Sequence, residues 1–229
     1  MSARPRCPDC QRPPASCYCA RVPRLHNRWP VRILQHPLEA RHAIGTARIA
    51  ALGLSDCQLA SSTALEALES LWQDCVLVYP GPDSQPLSAL RPGVIRPLLF
   101  VDATWRKSRR MLLECAALAA LPRFHLEDPV PSRYRIRREP HKGAVSTLEA
   151  IVQSLEVLEA APGRYAGLLD VMDALVEEQI RHMGPALYAQ RYADELTTAT
   201  QSPRSRHQSA ESESAECSDR SQDHDAPDH

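Results

Sequence analysis

LLFVDATWRKSRRM, residues 98–111, decides how this chain folds. Leu98 to Val101 form an apolar run closed by the charge of Asp102, the pattern of a strand buried on both faces. Pro97 has no N–H to give a sheet ladder, so the strand starts near Leu98. Asp102 and Thr104 both suit the cap of a helix. That helix is expected over Trp105–Leu121, with Met111, Leu112, Cys115 and Leu118 on its core face. The unit is strand, short loop, helix, and it recurs on either side. Upstream, VRILQ (31–35) reads as a strand, Ala40–Leu52 as a helix, and Thr63–Trp72 as a second helix with Leu65, Leu68 and Leu71 at helical spacing. CVLVY (75–79) is a buried strand ended by the turn PGPDS (80–84). Downstream, RFHLE (123–127) is a strand, and a loop rich in proline and arginine spans Asp128–Gly143. Ser146 with Glu149 three residues later signals a capping box, opening a helix to about Glu159. A last helical region covers Tyr165–Leu196, broken at Gly184-Pro185. Strands alternating with helices give an α/β fold: a mainly parallel sheet with helices on both faces.

The composition agrees. The chain has 229 residues, 43% hydrophobic and 24% charged, enough for one globular domain with a small appendage. Collagen-like and glycine-rich architectures are excluded by 8 glycines against 20 prolines. No apolar run reaches the ~18 residues of a membrane span. The start, MSARPRCPDC, lacks the apolar core of a secretion signal, so a cytoplasmic protein is expected. The net charge of −1 conceals an asymmetry. Residues 198–229 are acidic and contain no Val, Ile, Leu, Met, Phe, Trp or Tyr. Such a segment buries too little to offset its ordering entropy, and it is expected to be a disordered tail. The expected organisation is therefore a head over residues 1–24, an α/β domain over 25–197 and the tail.

Four of the eight cysteines crowd into the head as C-x2-C-x6-C-x-C: Cys7, Cys10, Cys17 and Cys19. In a reducing compartment, clustered thiols read as a metal site, and four thiolates close a tetrahedral shell around structural zinc. Asp102 stands at the carboxyl end of its strand, where open α/β sheets bind ligands. Arg106, Lys107, Arg109 and Arg110 follow at once, more cations than solubility requires. A second basic group comprises Arg133, Arg135, Arg137, Arg138, His141 and Lys142, with few opposing charges nearby in sequence. Together they read as an electrostatic footprint for RNA. Tyr134 suits either base stacking or the core.

These residues resemble the DTW-domain family. Asp102, Thr104 and Trp105 form its D-x-T-W signature, followed by Met111. HPLEARHAIGT supplies an H-P-x-E segment (His36, Pro37, Glu39) and Thr46, although Gly45 stands where family members commonly carry Asn. VYPGP (Tyr79, Pro80, Gly81) resembles the family's middle strand and turn. YRIRREP (Tyr134, Arg135, Arg137) and STLEA (Ser146, Thr147, Glu149, Ala150) resemble its late motif. The likeness runs over about residues 7–160, and the four-cysteine head matches bacterial members. It implies a SPOUT-like, knotted α/β fold and a tRNA-uridine aminocarboxypropyltransferase. Such an enzyme moves the 3-amino-3-carboxypropyl group of S-adenosylmethionine to N3 of a tRNA uridine, in the variable loop for bacterial members, and releases methylthioadenosine. On that reading Asp102, Thr104 and Trp105 are catalytic, and Asp102 is either the proton acceptor or the anchor of the donor's amine. Ser146, Thr147, Glu149, Tyr79, Pro80 and Gly81 hold the donor, with Glu149 equally readable as a helix cap. Two other activities fit the same features: an S-adenosylmethionine-dependent RNA methyltransferase, and a zinc-containing RNA-binding protein without catalysis.

Overall fold

The computed structural model describes residues 5–41, 44–61, 65, 69–90, 93–136 and 143–199. Its strands are β1 (Val31–Gln35), β2 (Cys57–Ser61), β3 (Val76–Val78), β4 (Gln85–Pro86), β5 (Leu98–Asp102) and β6 (Arg123–His125). All pair in parallel within one sheet, in the order β2-β1-β5-β3-β6-β4. The helices are α1 (Thr46–Gly53), α2 (Glu69–Trp72), α3 (Trp105–Glu114), α4 (Ala116–Ala119), α5 (Thr147–Leu158), α6 (Ala166–Met183) and α7 (Pro185–Ala199).

Alternation along the central strands explains the two layers. Val31, Ile33, Val76, Leu98 and Phe100 project to one face and pack with Ile49 of α1, Ile151 and Leu155 of α5, and Met172 of α6. Leu34, Leu77 and Leu99 project to the other and pack with Trp72 of α2, Met111 and Leu112 of α3, and Leu118 of α4. A strand covered on both sides has no polar alternation, and this is why LLFV reads as a continuous apolar run. The expected parallel sheet with helices on both faces is what the chain forms. Cys10, Tyr18 and Val22 of the head join the first of these cores.

Several elements differ in extent. The expected helix over Ala40–Leu52 is a 3-10 turn at Glu39–Arg41 followed by α1, whose N-cap position is the poor helix former Gly45. Of the expected helix over Thr63–Trp72, residues 63–64 and 66–68 lie outside the described residues, and Glu69–Trp72 is helical. The helix over Trp105–Leu121 breaks at Cys115, whose extended backbone (φ −122°, ψ 98°) separates α3 from α4. Nothing in the local sequence marks that break. β2 and β4 were not expected: CQLAS is a half-exposed edge strand without apolar alternation, and Gln85-Pro86 is a two-residue edge. The break at Gly184-Pro185 is present. Gly184 takes φ 82°, a left-handed conformation suited to glycine, and Pro185 opens the next helix. Residues 200–229, nearly all of the expected tail, lie outside the described residues.

Candidate active site

The carboxyl ends of β1 and β5 lie side by side, with Gln35 in register with Asp102. Residues in register on adjacent parallel strands point to the same face, so the two side chains meet. The Gln35 amide donates from Nε2 to Asp102 Oδ2 at 2.8 Å. From the opposite side, the Thr147 hydroxyl at the start of α5 donates to Asp102 Oδ1 at 2.6 Å. Gln35 is only 2% exposed, so its amide is a fixed donor. Both carboxylate oxygens are oriented by neutral groups, and among the described residues no cation pairs with Asp102. Each oxygen keeps a further acceptor position.

Two cavities lie here, one lined by Asp102 and the other by its partner Thr147. The larger, about 270 Å³, is walled by Tyr79, Pro80, Trp105, Leu126 and Val145, with Ser108, His125, Ser146 and Thr147 as polar points. The Tyr79 and Trp105 rings lie 5.4 Å apart at 55°. Ser108 Oγ donates to the Trp105 carbonyl at 3.1 Å, so the Tyr79 hydroxyl, 2.9 Å away, is the donor to Ser108. The smaller cavity, about 200 Å³, is walled by Asp102, Thr104, Glu39, Thr46, Tyr134 and Ile136, among others. Ala103 lines both. Asp102 thus faces one cavity while its partner Thr147 faces the other.

The start of α5 is built locally. Ser146 Oγ accepts from the Glu149 N–H, and Glu149 Oε2 accepts from the Ser146 N–H at 2.7 Å, a complete capping box. Glu149 Oε1 also accepts from the Arg133 N–H at 2.6 Å, and Ser132 Oγ donates to the same carboxylate. At 2% exposure, Glu149 lines neither cavity. Of its two expected tasks the geometry shows the cap: its oxygens accept from the loop and the helix start. Glu149→Ala would leave the Arg133 and Ser146 N–H groups without an acceptor, at ~1–3 kcal/mol for each buried orphan. The expected loss is about 3 kcal/mol, read by urea denaturation.

The remaining expected residues divide by position. Thr104 is the N-cap of α3, accepting from the Lys107 N–H. Tyr79, Pro80, Trp105, Ser146 and Thr147 line the larger cavity; Gly81 sits behind its wall, with Arg123 where a Cβ would go. His36 Nδ1 accepts from the Leu38 N–H within its own turn. Lys107 pairs with Glu39 at 2.7 Å and Arg110 with Glu114 at 2.6 Å, while Arg106 and Arg109 are exposed. The expected shortage of opposing charge around the second basic group is corrected by the fold. Helix α6 brings Asp170 and Asp173 to Arg133, and Glu177 to Arg135. Tyr188 and Tyr192 of α7 donate to the Arg135 and Ile136 carbonyls. Tyr134 is buried in the core and also edges the smaller cavity. Arg137, Arg138, His141 and Lys142 lie outside the described residues. Sequence reasoning missed Gln35, Ser108 and His125. The signal for Gln35, a polar residue ending an apolar strand, was present in VRILQ.

In the head, the four sulfurs of Cys7, Cys10, Cys17 and Cys19 lie within 4.8 Å of one another. Cys7 to Cys19 and Cys10 to Cys17 are each 3.7 Å. A tetrahedral shell with metal–sulfur bonds of ~2.3 Å has edges of about 3.8 Å, so the cluster fits a metal ion. Backbone N–H groups of Cys10 and then Asp9 hold the Cys7 thiol down at about 7, whereas burial and the neighbouring thiols push Cys19 up to about 12 and Cys17 is also raised.

A parallel sheet whose strand ends carry a clamped carboxylate between an aromatic cavity and a second recess has these features where open α/β sheets bind ligands. The thiol head marks it further. The chain belongs to the DTW domain family, whose model matches residues 4–180. It is 29% identical over 192 residues to the tRNA-uridine aminocarboxypropyltransferase 2 of Drosophila melanogaster, covering 77% of this chain and 76% of that one. Identity is 26% over 193 residues to the protein of that name from Macaca fascicularis, covering 78% and 65%. It is 24% over 223 residues to tRNA-uridine aminocarboxypropyltransferase A of Arabidopsis thaliana, covering 78% and 82%. No solved structure matches the chain. Among the described residues no helix is long and apolar enough to cross a membrane.

Proposed function

We propose that this chain transfers the 3-amino-3-carboxypropyl group from S-adenosylmethionine to N3 of a tRNA uridine, releasing methylthioadenosine. The observation that carries this reading is the position of Asp102, facing the smaller cavity while fixed by Thr147 of the larger. The names of the relatives supply the reaction. The donor occupies the larger cavity, its flat apolar part between the aromatic and proline walls. Its amino-acid end lies at the start of α5, where N–H groups of the first turn receive a carboxylate. The uridine base enters the smaller cavity. Asp102 accepts the N3 proton at a free acceptor position, and the N3 electron pair attacks the γ-carbon of the aminocarboxypropyl chain. The carbon–sulfur bond breaks, and its electron pair stays on sulfur as the thioether of methylthioadenosine. All three carbons on the sulfonium are activated, so the product is decided by which one is held in line with N3.

Cys7, Cys10, Cys17 and Cys19 hold zinc, closed by four protein ligands and therefore structural. A thiolate site of this kind suits the reducing cytoplasm. Arg106, Arg109 and Arg110 at the start of α3, with Arg133 and Arg135, guide the tRNA backbone, and the target lies in the variable loop. The acidic face of α6 orients the last two arginines until phosphate competes for them.

The nucleoside by-product tests the reading. Purified protein, S-adenosylmethionine and tRNA are expected to yield methylthioadenosine in step with tRNA modification. S-adenosylhomocysteine instead would make the protein a methyltransferase, and no turnover with intact tRNA binding would make it a binding protein.

A further inference from the structure

We propose that His125 determines specificity for the purine of the donor, by presenting an unprotonated Nε2 that accepts a hydrogen bond from the exocyclic amine. This rests on the assignment of the larger cavity to the donor. His125 ends β6 and lies on the wall of that cavity. Its tautomer follows from the turn beside it. Ser84 Oγ is 2.7 Å from the Gly81 carbonyl, which can only accept, so the serine's single proton points there. The Gly81 N–H donates to the same oxygen at 3.2 Å. His125 Nδ1 is 2.9 Å from Ser84 Oγ. With the hydroxyl proton already committed, the hydrogen in this third contact comes from the imidazole. Nδ1 therefore carries the proton, and in the neutral ring Nε2 carries a lone pair. Ser84 lies off the wall of the larger cavity and His125 on it; with Nδ1 held against Ser84, we take the opposite edge of the ring, with Nε2, as the one presented to the ligand.

The position along the sheet names what that edge meets. Extending the registers of β5, β3 and β6 puts Val101, Tyr79 and His125 in one row, a residue short of Asp102. β5 and β6 are separated by β3, so about 10 Å of sheet lies between Asp102 and His125. With the reacting chain at Asp102 and Thr147, the far end of the donor, its purine, reaches His125. The hydroxyls on this wall are already donating: Ser108 to the Trp105 carbonyl, Thr147 to Asp102, Tyr79 to Ser108 and Ser146 to the Met172 sulfur. With their protons committed, these groups offer the ligand only acceptor lone pairs, and the imidazole lone pair is the acceptor of the row that lies farthest from Asp102, matched to an amine rather than to a carbonyl.

The test is a cycle of binding constants on the full chain, measured by calorimetry. The probes are S-adenosylmethionine and its inosine analogue, which replaces the amine with a carbonyl. H125N keeps a donor near Ser84, but its shorter side chain carries no acceptor at the Nε2 position. Wild type is expected to bind the inosine analogue about threefold to tenfold more weakly than S-adenosylmethionine, the range of one hydrogen bond. H125N is expected to bind the two alike. S84A, which frees the ring to place its proton on either nitrogen, is expected to discriminate less than wild type without loss of fold. H125N discriminating as fully as wild type would overturn this inference alone. Failure of wild type to bind S-adenosylmethionine would overturn the cavity assignment beneath it, and the inference with it.

Discussion

Asp102→Asn is expected to lower turnover by ~10²–10⁴-fold, the usual worth of a positioned proton acceptor, with S-adenosylmethionine affinity nearly unchanged. Asparagine matches aspartate in shape and still offers Thr147 an acceptor, so the strand end and α5 stay joined. It has no charge with which to take the N3 proton. The split between kcat and donor affinity is what identifies the role. If Asp102 instead anchors the donor's ammonium, the same substitution weakens binding, and turnover at saturating donor recovers. Stopped-flow turnover beside calorimetric binding separates the two outcomes.

The second large effect is expected at the head. Wild-type protein is expected to contain about one zinc per chain, and Cys10→Ser to lose it together with about 4 kcal/mol of stability. Cys10 is 4% exposed and packs with Tyr18 and Val22 into the core shared by α1, α5 and α6. Metal loss would therefore loosen a wall of the main core as well as the terminal turns. Elemental analysis with thermal and denaturant unfolding checks both parts. A metal-free wild-type chain of the same stability would contradict the zinc assignment.

What could be read before the fold was known follows the range of each interaction. The α5 capping box is a contact between residues three apart, and Ser146 and Glu149 announce it. The strand LLFV is legible because burial on two faces leaves an unbroken apolar run. The clamp on Asp102 was not legible: its partners lie 67 residues upstream at Gln35 and 45 downstream at Thr147. They meet only through strand register and the docking of α5. The pairing of Arg133 and Arg135 has the same character, because their acidic partners sit about 40 residues on, along α6. β2 escaped notice because an edge strand with mixed exposure shows no period of two. His125 escaped because its chemistry comes from Ser84, 41 residues away, and from the proton count in that turn.

The most direct measurement is mass spectrometry of nucleosides from unmodified tRNA treated with this protein and S-adenosylmethionine. A uridine carrying the whole aminocarboxypropyl group at N3 is the expected product, formed ~10²–10⁴-fold more slowly when Asp102→Asn replaces the wild type. A methylated nucleoside, or full product from the asparagine variant, would contradict the central role given to that carboxylate.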